Sequence, residues 1–319
     1  LNPQRLPLHS RTLIQKAFAQ FAARRYGDID AALNAWGDKV EGDDPADGCV
    51  GFLQAYGLTT AGIGQHPKRA ADQIEFLTQA QYALYEKMAK RFADMGIRKM
   101  VAGSNWKTAD PRNLGPLEYY SYTATDMVCK NEYFAPQTLK SPRSYAVDVD
   151  DAFVSISAMR GPEAAGVLMT AQPASHPYLI TEDNWDNPNE YRAEYPFLVA
   201  TYGRMAGIDA WSFFAHSTPL WDTGLGVWNT ASPVIMGQYP AYALMFRRGD
   251  VVEGPPAVQE TVNLKNLYRG QPIALPEIPY KDFVRKAMLG AERKLDFESK
   301  ISPRAFFAGP VRLEFSEKK

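Results

Sequence analysis

The sequence is poor in cysteine and histidine, balanced in charge and without long apolar runs, and each shortage removes a class of protein. Two cysteines, Cys49 and Cys129, are too few for a disulfide scaffold and lack metal-site spacing. The four histidines, His9, His66, His176 and His216, are scattered, with no HExxH or comparable ligand spacing, so no catalytic metal is expected. Thirty-five Lys+Arg stand against 36 Asp+Glu, a formal net charge of -1. No basic arm and no run of five like charges is present, which argues against nucleic acid as the main partner and against polybasic docking on membranes. No stretch approaches the ~18 consecutive apolar residues of a membrane-spanning helix. A strand followed by G-x-G-x-x-G, a P-loop and a G-x-S-x-G elbow are all missing, so nucleotide and serine-hydrolase readings lack support and no cofactor is expected.

What is abundant is aromatic surface: 6 Trp, 17 Tyr and 16 Phe in 319 residues. Some of these rings fill core, but several stand beside Asn, Glu and His in loop-like contexts, as a sugar-binding cleft requires. At 45% hydrophobic residues the chain can bury a substantial core. It starts Leu1-Asn2-Pro3, without an initiator Met or a signal-peptide pattern. A processing site or an upstream segment is therefore expected before it.

The periodicity alternates helix and strand. Leu13, Ile14, Ala17, Phe18, Phe21 and Ala22 predict a helix over 10–25, with Ser10 as N-cap and Gly27 closing it. A short helix over 29–36 ends at Gly37. Residues 38–66, rich in Gly, Asp and Pro, read as a long surface excursion. The strongest helix spans 69–95, and a strand over 98–102 follows it. The same grammar gives a helix over 119–125 and a strand over 126–129 that leads into Lys130–Phe134. A long connection over 135–176 carries one helix near 151–160. A strand over 178–181, a helix over 189–206, a strand over 207–214 and a helix over 232–247 complete the series. Residues 1–249 read as a (β/α) barrel portion, and 250–319 as an appended β-rich region with a helix near 282–291 and a strand over 311–315. The fold class expected is α/β, of the (β/α)₈ type and partial.

In such barrels the catalytic groups sit where strands end. Here the strand ends are polar and aromatic: Ser104-Asn-Trp106, Asn131-Glu-Tyr133, Glu182-Asp-Asn-Trp185 and His216. Glu182, directly after Tyr-Leu-Ile-Thr, is the first candidate. Retaining glycoside hydrolysis needs a carboxylate nucleophile with a second carboxyl roughly 5 Å away, and Glu132 is the second carboxyl to consider. Tyr133 could orient Glu182, although an ordinary core tyrosine is an equal use. Trp185, Trp211, Trp221 and Trp228 are stacking candidates for a pyranose face, with core packing as the competing use. His216 could contact a sugar hydroxyl.

Three segments together carry a resemblance: Tyr178-Leu-Ile-Thr-Glu-Asp-Asn-Trp185, Pro188-Asn-Glu-Tyr-Arg-Ala-Glu-Tyr-Pro196 and Gly207-Ile-Asp-Ala-Trp-Ser-Phe-Phe214. They resemble strands seven and eight of clan A glycoside hydrolases, in particular the large bacterial β-galactosidase-like and agarase-like members. Phe18–Gly27, Leu33–Gly37 and Tyr239–Gly249 are similar to neighbouring parts of the same barrel. The resemblance covers roughly residues 12 to 250. It implies that Glu182 is the nucleophile, Tyr133 the tyrosine beside it, Asn105 and Trp106 strand-five substrate contacts and His216 a strand-eight contact. The family's acid/base glutamate, at the end of strand four, would then lie before residue 1, and Glu132 would sit on strand six. An extracytoplasmic bacterial setting is likewise what the resemblance implies.

Two other readings stay open. Glu132 and Glu182 could themselves form the pair in a shortened barrel. Alternatively the chain is a carbohydrate-binding half-barrel without catalysis, whose open strand edges call for a second copy or an N-terminal half-barrel as partner.

Overall fold

The computed structural model describes residues 6–59, 63–106, 108, 110, 113–134, 137–139, 146–160, 170–216, 226–271, 273 and 303–317. Helices α1 (Leu8–Tyr26) and α2 (Ile29–Trp36) open the chain. Asp28 caps α2 by accepting from the Ala31 amide at 2.6 Å, and Gly37 ends it at φ 72°, a left-handed conformation that glycine adopts without Cβ strain. Helix α3 (Pro67–Asp94) starts with proline in its first turn, where no amide donor is needed.

The segment after α2 is anchored, which corrects the expectation of a surface excursion. Val50, Phe52 and Leu53 are buried, and the Gln73 carboxamide clamps both the amide and the carbonyl of Leu53. Fully buried Arg69 binds Asp38 at 2.6 Å and both oxygens of Asp43 at 2.8 Å. Its guanidinium stacks over Trp36. These partners all precede α3 in sequence, so the loop folds back on the helix it introduces.

Helix α4 (Gly115–Tyr122) leads into strand β1 (Val128–Phe134). Two short strands, β2 (Gln137–Thr138) and β3 (Phe153–Val154), pair antiparallel. The helix expected near 151–160 is therefore not formed; β3 and a turn occupy that stretch. Strands β4 (Gln172–Pro173) and β5 (Tyr178–Trp185) precede helix α5 (Glu194–Leu198), which widens into a π-helical turn over Val199–Gly203. The helix expected from 189 starts only at 194, because Pro188 and the Asp186–Asn189 turn precede it. Strand β6 (Ala210–Phe213), helices α6 (Pro233–Met236) and α7 (Tyr239–Arg248), strand β7 (Val258–Asn263), helix α8 (Leu264–Tyr268) and strand β8 (Val311–Ser316) follow. The single helix expected over 232–247 is split into α6 and α7, the second having Pro240 in its first turn. The helix expected near 282–291 lies outside the described residues.

The architecture is mixed α/β with parallel sheets. Strands β1, β5 and β6 form one parallel sheet in the order β1-β5-β6. Residues 101–105 run along its β1 edge through a parallel Ala102–Met127 bridge and backbone hydrogen bonds from Asp126 to Val101 and from Asn131 to Asn105. The strand expected over 98–102 is reduced to this contact. Among the described residues the sheet does not close on itself. Its helices lie on one face: Tyr119 of α4 meets Tyr178 edge-on, and Trp211 of β6 packs on Gly203 and lines a cavity with Phe246 of α7.

A second parallel sheet, ordered β4-β8-β7, packs outside α4, where Phe315 meets Tyr120. One core cluster runs from Leu53 and Ile74 through Tyr178 and Ile208 to Leu264, Val311 and Leu313. Residues on both sides of position 250 thus share one core.

Candidate active site

The face of the β1-β5-β6 sheet opposite the helices carries the site. The Tyr133 hydroxyl donates to Glu182 Oε2 at 2.7 Å across the ends of β1 and β5. Burial, then the hydrogen bond and charge of Glu182, push the Tyr133 phenol well above its ordinary pKa, so it stays protonated and donates throughout the neutral range. The carboxylate is half-buried, open enough to meet a ligand.

Beside it, three segments are stitched by side chains. Asn105 Nδ2 donates to Thr181 Oγ1 at 3.1 Å, and Thr181 donates to Asn131 Oδ1 at 2.9 Å. Around Tyr133 stand two further rings, Phe214 at 6.1 Å and Trp228 at 5.9 Å, which also meet each other. Trp228 is fixed through its backbone: its carbonyl accepts from the Ala215 amide at 2.8 Å and from the buried Asn184 carboxamide. Phe214–Ala215 is a cis peptide.

The other candidates separate into three groups. Trp106, 74% exposed, stands next to Asn105 at the mouth of the sheet edge, and His216 is exposed just past β6. Glu132 leaves β1 on the face opposite Tyr133, as strand alternation requires, and its buried carboxylate forms an ion pair with Lys130, whose ammonium lies over Tyr119. Trp185 and Trp211 also face the helices. Trp185 is 1% exposed between Phe134 and Tyr195, and the Trp211 indole donates to Asp183 Oδ2 at 2.8 Å. Trp221 lies outside the described residues.

Asn131 and Asn184 enter the sequence reading only as members of strand-end clusters, and Thr181 only as the residue before Glu182; nothing in the sequence gives any of the three a role of its own. Sequence reasoning also overlooked a buried polar floor beneath the strand ends. There Arg192 donates to the Trp185 carbonyl and to Asn187 Oδ1, each at 2.6 Å, and to the Asn229 carbonyl. Burial, then the charge of Asp183, raises the pKa of Asp186 well above its ordinary value. Among the described residues no group of His, Cys, Asp and Glu is arranged to hold a metal ion.

No protein-family model matches the chain, and no curated protein sequence does. Among solved structures the chain is similar to the polyextremophilic β-galactosidase from the Antarctic haloarchaeon Halorubrum lacusprofundi, with a TM-score of 0.46 and 16% sequence identity. The match covers 80% of this chain and 38% of that one.

Proposed function

We propose that this chain carries the nucleophile side of a retaining glycosidase site that acts on a β-linked, galactose-containing saccharide. A partial (β/α)₈ barrel is the frame for it. The observation that supports this reading best is the Tyr133–Glu182 hydrogen bond at the C-terminal ends of adjacent parallel strands, where such sheets place their chemistry. The phenol engages Oε2, which leaves Oε1 to attack the anomeric carbon. The C1–O bond to the leaving group breaks as the Glu182 ester forms, and water then cleaves that ester. Trp228, Phe214 and Trp106 offer flat apolar surface for a pyranose face, and Asn105 and Asn131 offer amides for its hydroxyls. Glu132 does not suit the acid/base role, since its carboxylate is committed to Lys130 on the other face. That role is left to a carboxyl from outside the described residues.

That the β1-β5-β6 sheet does not close on itself among the described residues favours a second reading, a self-associating carbohydrate-binding half-barrel without turnover. Incubation with a dinitrophenyl 2-deoxy-2-fluoro-galactoside separates the two. This reagent needs the nucleophile but relies little on an acid, because its leaving group departs readily. A mass increase of one fluoroglycosyl unit, mapped to Glu182 and abolished by Glu182→Gln, supports catalysis. Saccharide binding in calorimetry with no label from galacto-, gluco- or manno-configured reagents favours the binding module.

A further inference from the structure

Regular alternation along β5 would send Glu182 to the wrong side of the sheet. Ile180 faces the helices: it is fully buried, belongs to one core cluster with Tyr119, Val128 and Ile208 and pairs with Trp211. Side chains two apart on a strand share a face, so Glu182 would follow Ile180 into that core. Instead Asp183, three residues after Ile180, is the next to face the helices, where it accepts from the Trp211 indole.

One extra residue therefore sits in β5, and both flanking ladders record it independently. Against β1, Lys130 pairs with Ile180 but the next residue, Asn131, pairs with Glu182. Against β6, Trp211 pairs with Ile180 and Phe213, two residues on, pairs with Asp183. Thr181 is the residue passed over in the β1 ladder. A bulge of this kind re-aims the side chains beyond it and loses ladder hydrogen bonds in doing so. Here the passed-over residue replaces them with its own side chain, bridging Asn105 and Asn131.

We propose that Thr181 is a positioning residue, whose hydroxyl holds the bulge that turns Glu182 onto the site face. Its catalytic consequence rests on the assignment of Glu182 as nucleophile; its structural content does not. Valine has the same shape without the hydroxyl. In Thr181→Val the Asn105 and Asn131 amides lose their common partner, and the regular register becomes a competitor that withdraws the carboxylate from Tyr133.

The test uses the full chain labelled with ¹³Cζ-tyrosine, the Tyr133 resonance being assigned by its loss in Tyr133→Phe. Glu182→Gln marks the shift of a phenol that faces no carboxylate. Thr181→Val is expected to move the Tyr133 resonance toward the Glu182→Gln position and to slow fluoroglycoside labelling about 100-fold, the cost of an ångström-scale misplacement. Thr181→Ser is expected to restore both. A Tyr133 resonance at its wild-type position in folded Thr181→Val overturns the proposal. Should that variant not fold, Thr181→Ala also removes the hydroxyl and its bonds to Asn105 and Asn131, and an unmoved resonance there overturns it equally. If the wild type takes no label while Thr181→Val still moves the resonance, the nucleophile assignment falls and the positioning role stands.

Discussion

Tyr133 and Glu182, distant in sequence, meet in a single hydrogen bond of 2.7 Å, phenol to carboxylate. A hydrogen bond to a charged group contributes about 1.5–3 kcal/mol. Tyr133→Phe is therefore expected to slow formation of the Glu182 glycosyl ester by roughly 10- to 150-fold. Stopped-flow release of dinitrophenol checks this. An unchanged rate would mean that the phenol does not orient the nucleophile.

Trp106 is expected to behave as a binding residue with no part in stability. Its ring is exposed, so Trp106→Ala should leave the thermal midpoint where it is. Loss of one stacking surface, about 0.5–1.5 kcal/mol, should weaken saccharide binding by roughly 2- to 12-fold. Calorimetric titration and thermal scans decide together: a lowered midpoint with intact binding would sink the assignment.

Arg69 holds the opening of the chain. Its removal in Arg69→Ala leaves buried Asp43 without its cation, while Asp38 keeps the His66 ring, and is expected to cost about 3–5 kcal/mol, read from urea unfolding. For Asp43 burial opposes ionisation, but hydrogen bonds from Arg69 and from the Val40 and Gly51 amides win and hold its pKa below the usual value. A depressed folded pKa gives stability that is present above the unfolded pKa, about 4, and is lost as pH falls through the folded value. Stability should thus decline below about pH 4, and less steeply in Asp43→Asn. Equal slopes would refute it.

Asp186 carries the opposite sign. Burial first, then Asp183, raise its pKa against the pull of Arg192, so the folded chain holds this proton more tightly than the unfolded chain. Its contribution is greatest below the unfolded pKa and is lost as pH rises toward the folded one. Asp186→Asn imitates the protonated form. It is expected to raise the thermal midpoint at pH 8 and to change it little at pH 4, and a midpoint lowered at pH 8 would contradict this.

Much of this arrangement is legible in the residues themselves. Helix ends marked by Gly27 and Gly37 and the apolar strands before Asn131 and Glu182 follow from local chemistry. The bulge does not. Tyr178–Trp185 is flanked by strands on both edges and screened on one face, so its sequence shows no polar alternation from which a slip of one residue could be read. Trp185 and Trp211 were open to two uses, since tryptophan serves a core and a sugar platform equally, and only the ring partners decide. The anchoring of residues 38–53 depends on Arg69 and Gln73, whose partners are many residues away. The split of α6 from α7 shows the converse, a proline whose local effect outweighs a helical period.

The short strand β4 has a consequence for the order of events in synthesis. Gln172 and Pro173 lie near the middle of the chain, yet they pair with Arg312 and Leu313, and Leu313 also seals the cluster around Tyr178 and Ile208. Contacts this non-local close late, after the loop entropy between them has been met. A ribosome must release β8 before the strand bearing Glu182 gains its outer support. Nascent chains stalled before residue 311 should accordingly be cut by protease within 170–210, and chains released beyond 317 should resist.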